Sequence, residues 1–265
     1  MGIPQLMHSV KAAVLVALLL GVSGCITTSS RPPVPEANSS DAAKYNLELG
    51  ISYLRQNNLQ AAREKLERAI RDEPDLARAH AVLGIVFEQL EDPKGAEREY
   101  RRAVELDGFD PDSLNALAIF TCSYKQRPTE ALKLFDRAIA VPLSVKAANR
   151  PMLYTNAGTC AKALDMALSE AYLRAALAQD PRFGDALFQM ADVSLARGNA
   201  LQARGFLERF LAVGKPTAAA LSLGVRIEQS LGDDKAARRY GDRLRKDFPE
   251  SKETRLLLDQ SGSQG

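Results

Sequence analysis

Few side chains in this chain of 265 residues could carry out chemistry, because the sequence has only three cysteines and two histidines. Cysteine thiolates act as nucleophiles and metal ligands, and histidine is the common acid–base group near neutral pH. Cys25, His80, Cys122 and Cys160 lie too far apart in the sequence to form a metal-binding spacing. The sequence also has no glycine-rich phosphate loop and no nucleophile elbow. We therefore expect no enzyme activity, cofactor, metal or small-molecule substrate, and we interpret His80 as a packing residue.

Cys25 follows a segment, residues 1–24, that has the composition of a bacterial signal peptide. Lys11 precedes an apolar run from Ala12 to Leu20, which is too short to span a bilayer. The four residues Val22-Ser23-Gly24-Cys25 resemble the lipobox of bacterial lipoproteins, in which the cysteine thiol is acylated and becomes the new N-terminus. The alternative is an ordinary secretory signal that happens to end near a cysteine.

Residues 25–42 are expected to link this lipid anchor to the folded body as a disordered tether. Serine, threonine and proline dominate the segment, and apolar residues show no periodicity in it. A tether of this length reaches roughly 20 Å, so the folded body stays near the membrane. Ile26 follows the cysteine at the position where lipoproteins retained in the inner membrane commonly have aspartate. By resemblance to that sorting rule, we expect an anchor in the outer membrane, with the body facing the periplasm.

The rest of the sequence repeats with a period of 34 residues, which is the tetratricopeptide period. The row that starts at Ala43 has Leu49-Gly50, Tyr53, Ala62, Leu66, Ala69 and Pro74 at the signature positions, and the row from Ala77 has Leu83-Gly84, Phe87, Ala96, Tyr100 and Ala103. Small residues at positions 8, 20 and 27 allow two antiparallel helices to touch, and large residues at 7, 11 and 24 fill the space between rows. The proline at position 32 ends the second helix.

Four weaker rows start at Asp112, Arg150, Gly184 and Ala218, and residues 250–260 are predicted to form a capping helix. The third row needs one extra residue in its central turn, and a longer connection, residues 145–149, precedes the fourth. The rows lie near 43–76, 77–110, 112–145, 150–183, 184–217 and 218–251. Because no single row can bury its apolar face, stability must come from stacking. The sequence therefore predicts an all-α tetratricopeptide-repeat superhelix of about six helix-turn-helix repeats plus a C-terminal capping helix, within residues 43–262.

The net charge of +2, from 35 basic and 33 acidic residues, argues against a nucleic-acid partner. A concave protein-binding groove is expected instead, lined by positions 2, 5, 9, 12 and 13 of each first helix. In the N-terminal half these positions form an apolar strip of Leu47, Ile51, Leu54, Ile85, Phe120 and Tyr124. One hypothesis is that this strip receives an amphipathic helix or apolar peptide. The alternative is that these side chains pack between neighbouring first helices.

Cys122 and Cys160 both fall at position 11 of neighbouring rows, three and four. Since the periplasm is oxidising, we expect a disulfide between them. Equivalent positions in adjacent repeats lie about 10 Å apart, beyond disulfide reach unless the extra residues draw them together. The alternative is two buried thiols, which pack well in cores.

The lipobox, tether and six rows resemble the PilF/PilW family of type IV pilus biogenesis lipoproteins. The resemblance is most specific at residues 115–122, 124–128, 132–138 and 154–160, although Ala116-Leu117-Ala118 departs from the Asn-Tyr-Gly that the family tends to have. It implies a pilotin, a lipoprotein that guides subunits of the pilus secretin to the outer membrane and promotes their multimerisation. The alternative is a tetratricopeptide lipoprotein that serves as an adaptor for cell-wall hydrolases or for outer-membrane protein assembly.

Overall fold

A computed structural model describes residues 39–146 and 148–262 of the chain, and over these residues it consists of helices joined by short turns. The helices are α1 Ser39–Arg55, α2 Leu59–Asp72, α3 Ala77–Gln89, α4 Pro93–Leu106, α5 Pro111–Ser123, α6 Pro128–Ala140, α7 Arg150–Ala161, α8 Met166–Gln179, α9 Gly184–Ala196, α10 Ala200–Val213, α11 Ala218–Ser230, α12 Asp234–Asp247 and α13 Lys252–Gly262. None of these helices combines the length and apolar composition that crossing a bilayer requires.

The helices form six antiparallel pairs, from α1–α2 to α11–α12, and α13 packs against α11 and α12 at the end of the stack. Each first helix also contacts the first helix of the next pair. The predicted all-α tetratricopeptide-repeat superhelix with a C-terminal capping helix is therefore confirmed. The predicted signal peptide, Cys25 and the tether as far as Asn38 lie outside the described residues.

Helix boundaries follow from capping residues and proline in the sequence. The side chain of Asp92 accepts a hydrogen bond from the Gly95 N–H at 2.9 Å, and Asp110 accepts one from Ser113 at 2.9 Å. Both caps precede a proline at the first helical position, where its missing N–H costs nothing. Helix α1 begins at Ser39, so residues 39–42 are helical rather than part of the predicted tether. Asp41 lies in the first turn, where a negative charge is favourable.

The two helices of a pair approach each other closely at a small residue. A Cβ atom on Gly84 would lie 2.6 Å from the ring of Tyr100, and one on Gly50 would lie 2.6 Å from Leu66 Cγ. At such distances a larger residue would force the facing side chain or the whole helix to move. The small residues of the repeat therefore set the spacing of the helix pairs.

Rows three and four differ by one residue from the predicted alignment. A row that starts at Asp112 places its small residue at Ile119, but Ile119 is 38% exposed and Ala118 is fully buried. The extra turn residue lies after this point, so the first helix begins one residue earlier than predicted, at Pro111. In row four the close approach occurs at Gly158, whose Cβ would lie 2.8 Å from Leu173 Cγ, one residue later than the predicted Ala157.

Candidate partner-binding groove

The structure divides the predicted apolar strip into core residues and surface residues. Leu47 and Phe120 are only 4% and 1% exposed and belong to one apolar core cluster. Phe120 packs on Tyr100, with ring centroids 5.6 Å apart. These two residues therefore follow the alternative interpretation of the strip, in which the side chains pack between helices and are not available to a partner. The cause for Phe120 is the one-residue shift of row three, because consecutive residues of a helix differ by about 100° in direction.

The other four residues of the strip keep accessible surface. Ile51, Leu54 and Ile85 are half-buried against the same core cluster. Tyr124 is 55% exposed and stacks on Phe120 with ring centroids 5.3 Å apart. The strip is therefore shorter and shallower than the sequence predicts.

A cavity of about 520 Å³ lies beside Ile85, between the first helices of rows two and three. Its apolar surface comes from Leu76, Ala77, Ala81, Val82, Ile85, Leu106 and Ala116. Asp75, Arg78, Asp107, Asp110, Asp112 and Lys146 form a charged rim. Cavities with an apolar floor and a few polar groups at the edge are typical binding sites for side chains of a ligand or partner.

Lys146 holds the acidic side of this rim in place. Its Nζ lies 2.5 Å from Asp107 and 3.0 Å from Asp110, so the long connection between rows three and four is tied to the preceding turn. Burial opposes ionisation of Asp110, but hydrogen bonds from Ser113 and Lys146 outweigh it, and the pKa of Asp110 lies below its ordinary value. Burial and the nearby Asp110 charge raise the pKa of Asp112. The rim therefore favours a cation over an anion.

The inner face of the C-terminal rows carries ion pairs between charged side chains, whereas that of the N-terminal rows is mainly apolar. Lys162, which caps the C-terminus of α7, forms an ion pair with Asp192 of α9, and Arg226 of α11 lies 3.6 Å from the same carboxylate. These pairs link three successive first helices. Apolar contacts with a partner are therefore favoured in the N-terminal half.

His80 lies in the core of row two and is 6% exposed. Its Nδ1 is 2.8 Å from a carboxylate oxygen of Glu99, and its Nε2 is 3.1 Å from the Pro74 carbonyl oxygen. Burial opposes ionisation of Glu99, but hydrogen bonds from His80 and Arg98 outweigh it and lower the pKa of that carboxyl group. His80 thus joins the α2–α3 turn to α4. Among the described residues no cluster of histidine, cysteine or carboxylate side chains has the arrangement of a metal site.

Cys122 and Cys160 lie next to each other, with their Cα atoms 6.0 Å apart and their sulfur atoms within bonding distance. This Cα separation is in the range of disulfides. The sequence had suggested that the two cysteines occupy equivalent positions in their rows, but they do not. Cys122 follows the small residue of its row by four positions, and Cys160 follows that of its row by two. The shifts of rows three and four therefore bring together two residues that would otherwise lie too far apart. Whether the bond forms in the cell stays a prediction.

Of the residues that line the cavity, only Ile85 belongs to the predicted apolar strip. Val82 and Ala116 are half-buried on the first helices, and Lys146 comes from the long connection. A helical wheel that included position 6 would have found Val82. Nothing in the sequence indicates Lys146, because its position depends on the path of the connection.

The amino-acid sequence matches a family model described as tetratricopeptide repeat over residues 47–111. It is 28% identical over 247 residues to the type IV pilus assembly protein PilF of Pseudomonas aeruginosa, covering 92% of this chain and 96% of that protein. The crystal structure of PilW, a widely conserved type IV pilus biogenesis factor, has a TM-score of 0.75 and 27% identity to this chain, and the match covers 82% of this chain and 98% of PilW. The structure of P. aeruginosa PilF gives a TM-score of 0.71 and 26% identity, covering 84% and 99%. In each case nearly the whole relative is matched.

Proposed function

We propose that this chain is a pilotin for the pilus secretin, because it is homologous to the PilF and PilW proteins of type IV pilus biogenesis. It is held in the outer membrane through acylated Cys25 and faces the periplasm. There it binds secretin subunits and promotes their multimerisation in the outer membrane. The observation that carries the proposal is the similarity to PilF over 92% of this chain.

The groove of rows one to three is the binding surface in this proposal. Ile51, Leu54 and Ile85 supply apolar contacts, and the cavity beside Ile85 accepts a larger side chain of the partner. An amphipathic segment suits such a groove, because its apolar face fits the floor and its polar face stays in water. Unassembled secretin exposes strand edges that pair wrongly, and a bound scaffold limits that association until insertion.

The experiment is to delete the gene and to measure heat-stable secretin multimers in the outer-membrane fraction. We expect the multimers to disappear and to return when the wild-type gene is supplied. Cys25→Ser should not restore them in the outer membrane, because the anchor is lost. Ile85→Asp should not restore them either, because a charge in the groove opposes apolar contact.

Leu201→Asp is the matched control, since Leu201 is 72% exposed and lies outside the groove. It should restore multimers as well as the wild type does. Thermal melts of the purified variants must show that Ile85→Asp remains folded. Normal secretin multimers in the deletion strain would refute the pilotin role and would favour an adaptor for cell-wall hydrolases or outer-membrane protein assembly.

A further inference from the structure

Three large apolar side chains protrude from the turns between repeats: Phe109 is 70% exposed, Leu143 56% and Val145 61%. Phe109 and Pro142 line one shallow cavity of about 370 Å³. Just beyond Val145, Lys146 binds Asp107 and Asp110 on either side of Phe109. The segment that carries Leu143 and Val145 thus begins and ends close to Phe109, and its Lys146 end is held there by ion pairs. We call Phe109, Leu143 and Val145 the Phe109 patch.

The Phe109 patch lies on the edge of the solenoid where all turns between repeats lie. Hydrogen bonds connect these turns with the ends of the second helices: Arg102 with Asp75, Arg137 with the Gly108 carbonyl and Arg209 with the Pro181 carbonyl. The chain enters the solenoid at the same edge. Asn46, in the middle of α1, donates a hydrogen bond through its amide to Asp72 at the end of α2, at 3.3 Å, so the half of α1 that precedes Asn46 lies at this edge.

The opposite edge holds the turns inside the repeats, such as the one that precedes Leu201. Leu201 is 72% exposed there, immediately after the N-terminus of α10. Because the helices run from one edge to the other, the two edges are a helix length apart. For helices of 13 or 14 residues this is about 20 Å.

Arg137 lies at the edge of the Phe109 patch, in the lining of the cavity beside Phe109. Arg137 donates to the Gly108 carbonyl, and within the described ranges 39–146 and 148–262 it has no carboxylate partner in an ion pair. Lys146 also lies close by, but Asp107 and Asp110 neutralise its charge, so Arg137 is the cation that can meet a lipid phosphate here. Exposed apolar tips with an arginine beside them suit a surface that enters the headgroup region of a bilayer, because the apolar tips are buried there while the guanidinium stays at the level of the phosphates.

We propose that the Phe109 patch rests on the phospholipid surface of the membrane that holds the Cys25 anchor. This inference depends on the lipid anchor of the proposed function. Thirteen residues separate Cys25 from Ser39, and a flexible linker of that length would span roughly 20 Å and keep the entry edge of the solenoid at the membrane surface. Contact through this edge orients the helix axes roughly perpendicular to the membrane plane, because the helices run from this edge to the opposite one. The groove then opens sideways into the periplasm, where a secretin subunit approaches.

Tryptophan substitutions test the proposal, because the sequence contains no tryptophan and each variant therefore carries a single indole. Phe109→Trp and Leu143→Trp report on the patch, and Leu201→Trp is the control on the opposite edge. The acylated proteins are reconstituted in vesicles of phosphatidylethanolamine and phosphatidylglycerol with brominated acyl chains, which quench nearby indoles. We expect a blue-shifted emission and at least about twofold stronger quenching for the two patch variants than for the control, because patch side chains reach the headgroup–acyl boundary.

Equal quenching of Phe109→Trp and Leu201→Trp in vesicle-bound protein would overturn the proposal and leave the pilotin role intact. A blue shift of Phe109→Trp on adding the secretin periplasmic domain without vesicles would also overturn it, because the patch would then bind protein. Purified protein that carries no acyl group and fails to sediment with vesicles would remove the anchor, and with it both this inference and the membrane part of the proposed function.

Discussion

Replacing Phe120 with alanine separates a core role from a groove role for this residue. Phe120 is 1% exposed, packs on Tyr100 at 5.6 Å and stacks on Tyr124 at 5.3 Å. Removing a fully buried phenylalanine costs about 3–5 kcal/mol, and the lost aromatic contacts account for about 0.5–1.5 kcal/mol of this. For Tyr124→Ala, at 55% exposure, we expect a loss of less than about 1 kcal/mol.

The assay is the thermal and urea unfolding of the unacylated Cys25→Ser protein, followed by circular dichroism at the helix band. For a domain of this size a loss of about 4 kcal/mol lowers Tm by roughly 8–16 °C. Repeat proteins unfold less cooperatively than globular domains, so the midpoints of both unfolding methods should be compared. The affinity of Phe120→Ala for secretin, measured at a temperature below its lowered Tm, should change little, because Phe120 is buried and does not reach the groove surface.

The reasoning would be refuted if Phe120→Ala unfolded within about 1 kcal/mol of the wild type while losing secretin binding. Phe120 would then be a partner contact, as the first hypothesis from the sequence had it. Tyr124→Ala is the matched comparison, because Tyr124 stacks on the same ring but lies at the surface.

Three further outcomes are expected. Mass spectrometry of the protein from the periplasm should find Cys122 and Cys160 joined in a disulfide. Because that disulfide closes a loop with a sequence separation of 38, Cys122→Ser should lower the free energy of unfolding by about 4 kcal/mol. Finding both thiols free would contradict this prediction. Stability should fall on acidification below about pH 5, because the folded-state pKa values of Glu99 and Asp110 are lowered and the unfolded chain binds more protons; a flat profile in acid would count against those hydrogen bonds. Glu91 has a φ of 59°, so Glu91→Gly should raise stability by about 0.5–1 kcal/mol, and a drop in Tm would contradict the relief of strain.

Much of the fold could be read from the sequence, because the constraints of the repeat are local. Two helices can approach closely only where small residues such as Gly50 and Gly84 recur with a period of 34, and proline and aspartate mark where helices begin. These rules act on neighbouring residues and on pairs of helices. They therefore predict the helix pairs and their stacking without knowledge of the overall shape.

The binding surface depended on details that only the tertiary structure decided. The sequence pattern placed one extra residue in the central turn of row three but started the first helix at Asp112, whereas the packed structure starts it at Pro111. This one-residue shift rotates α5 by about 100°, which buries Phe120 and exposes Ile119. The same shifts decide that Cys122 and Cys160 lie 6.0 Å apart, and the path of the long connection brings Lys146 to the cavity. Side-chain direction follows from helix register, and register is settled only when the rows pack against each other.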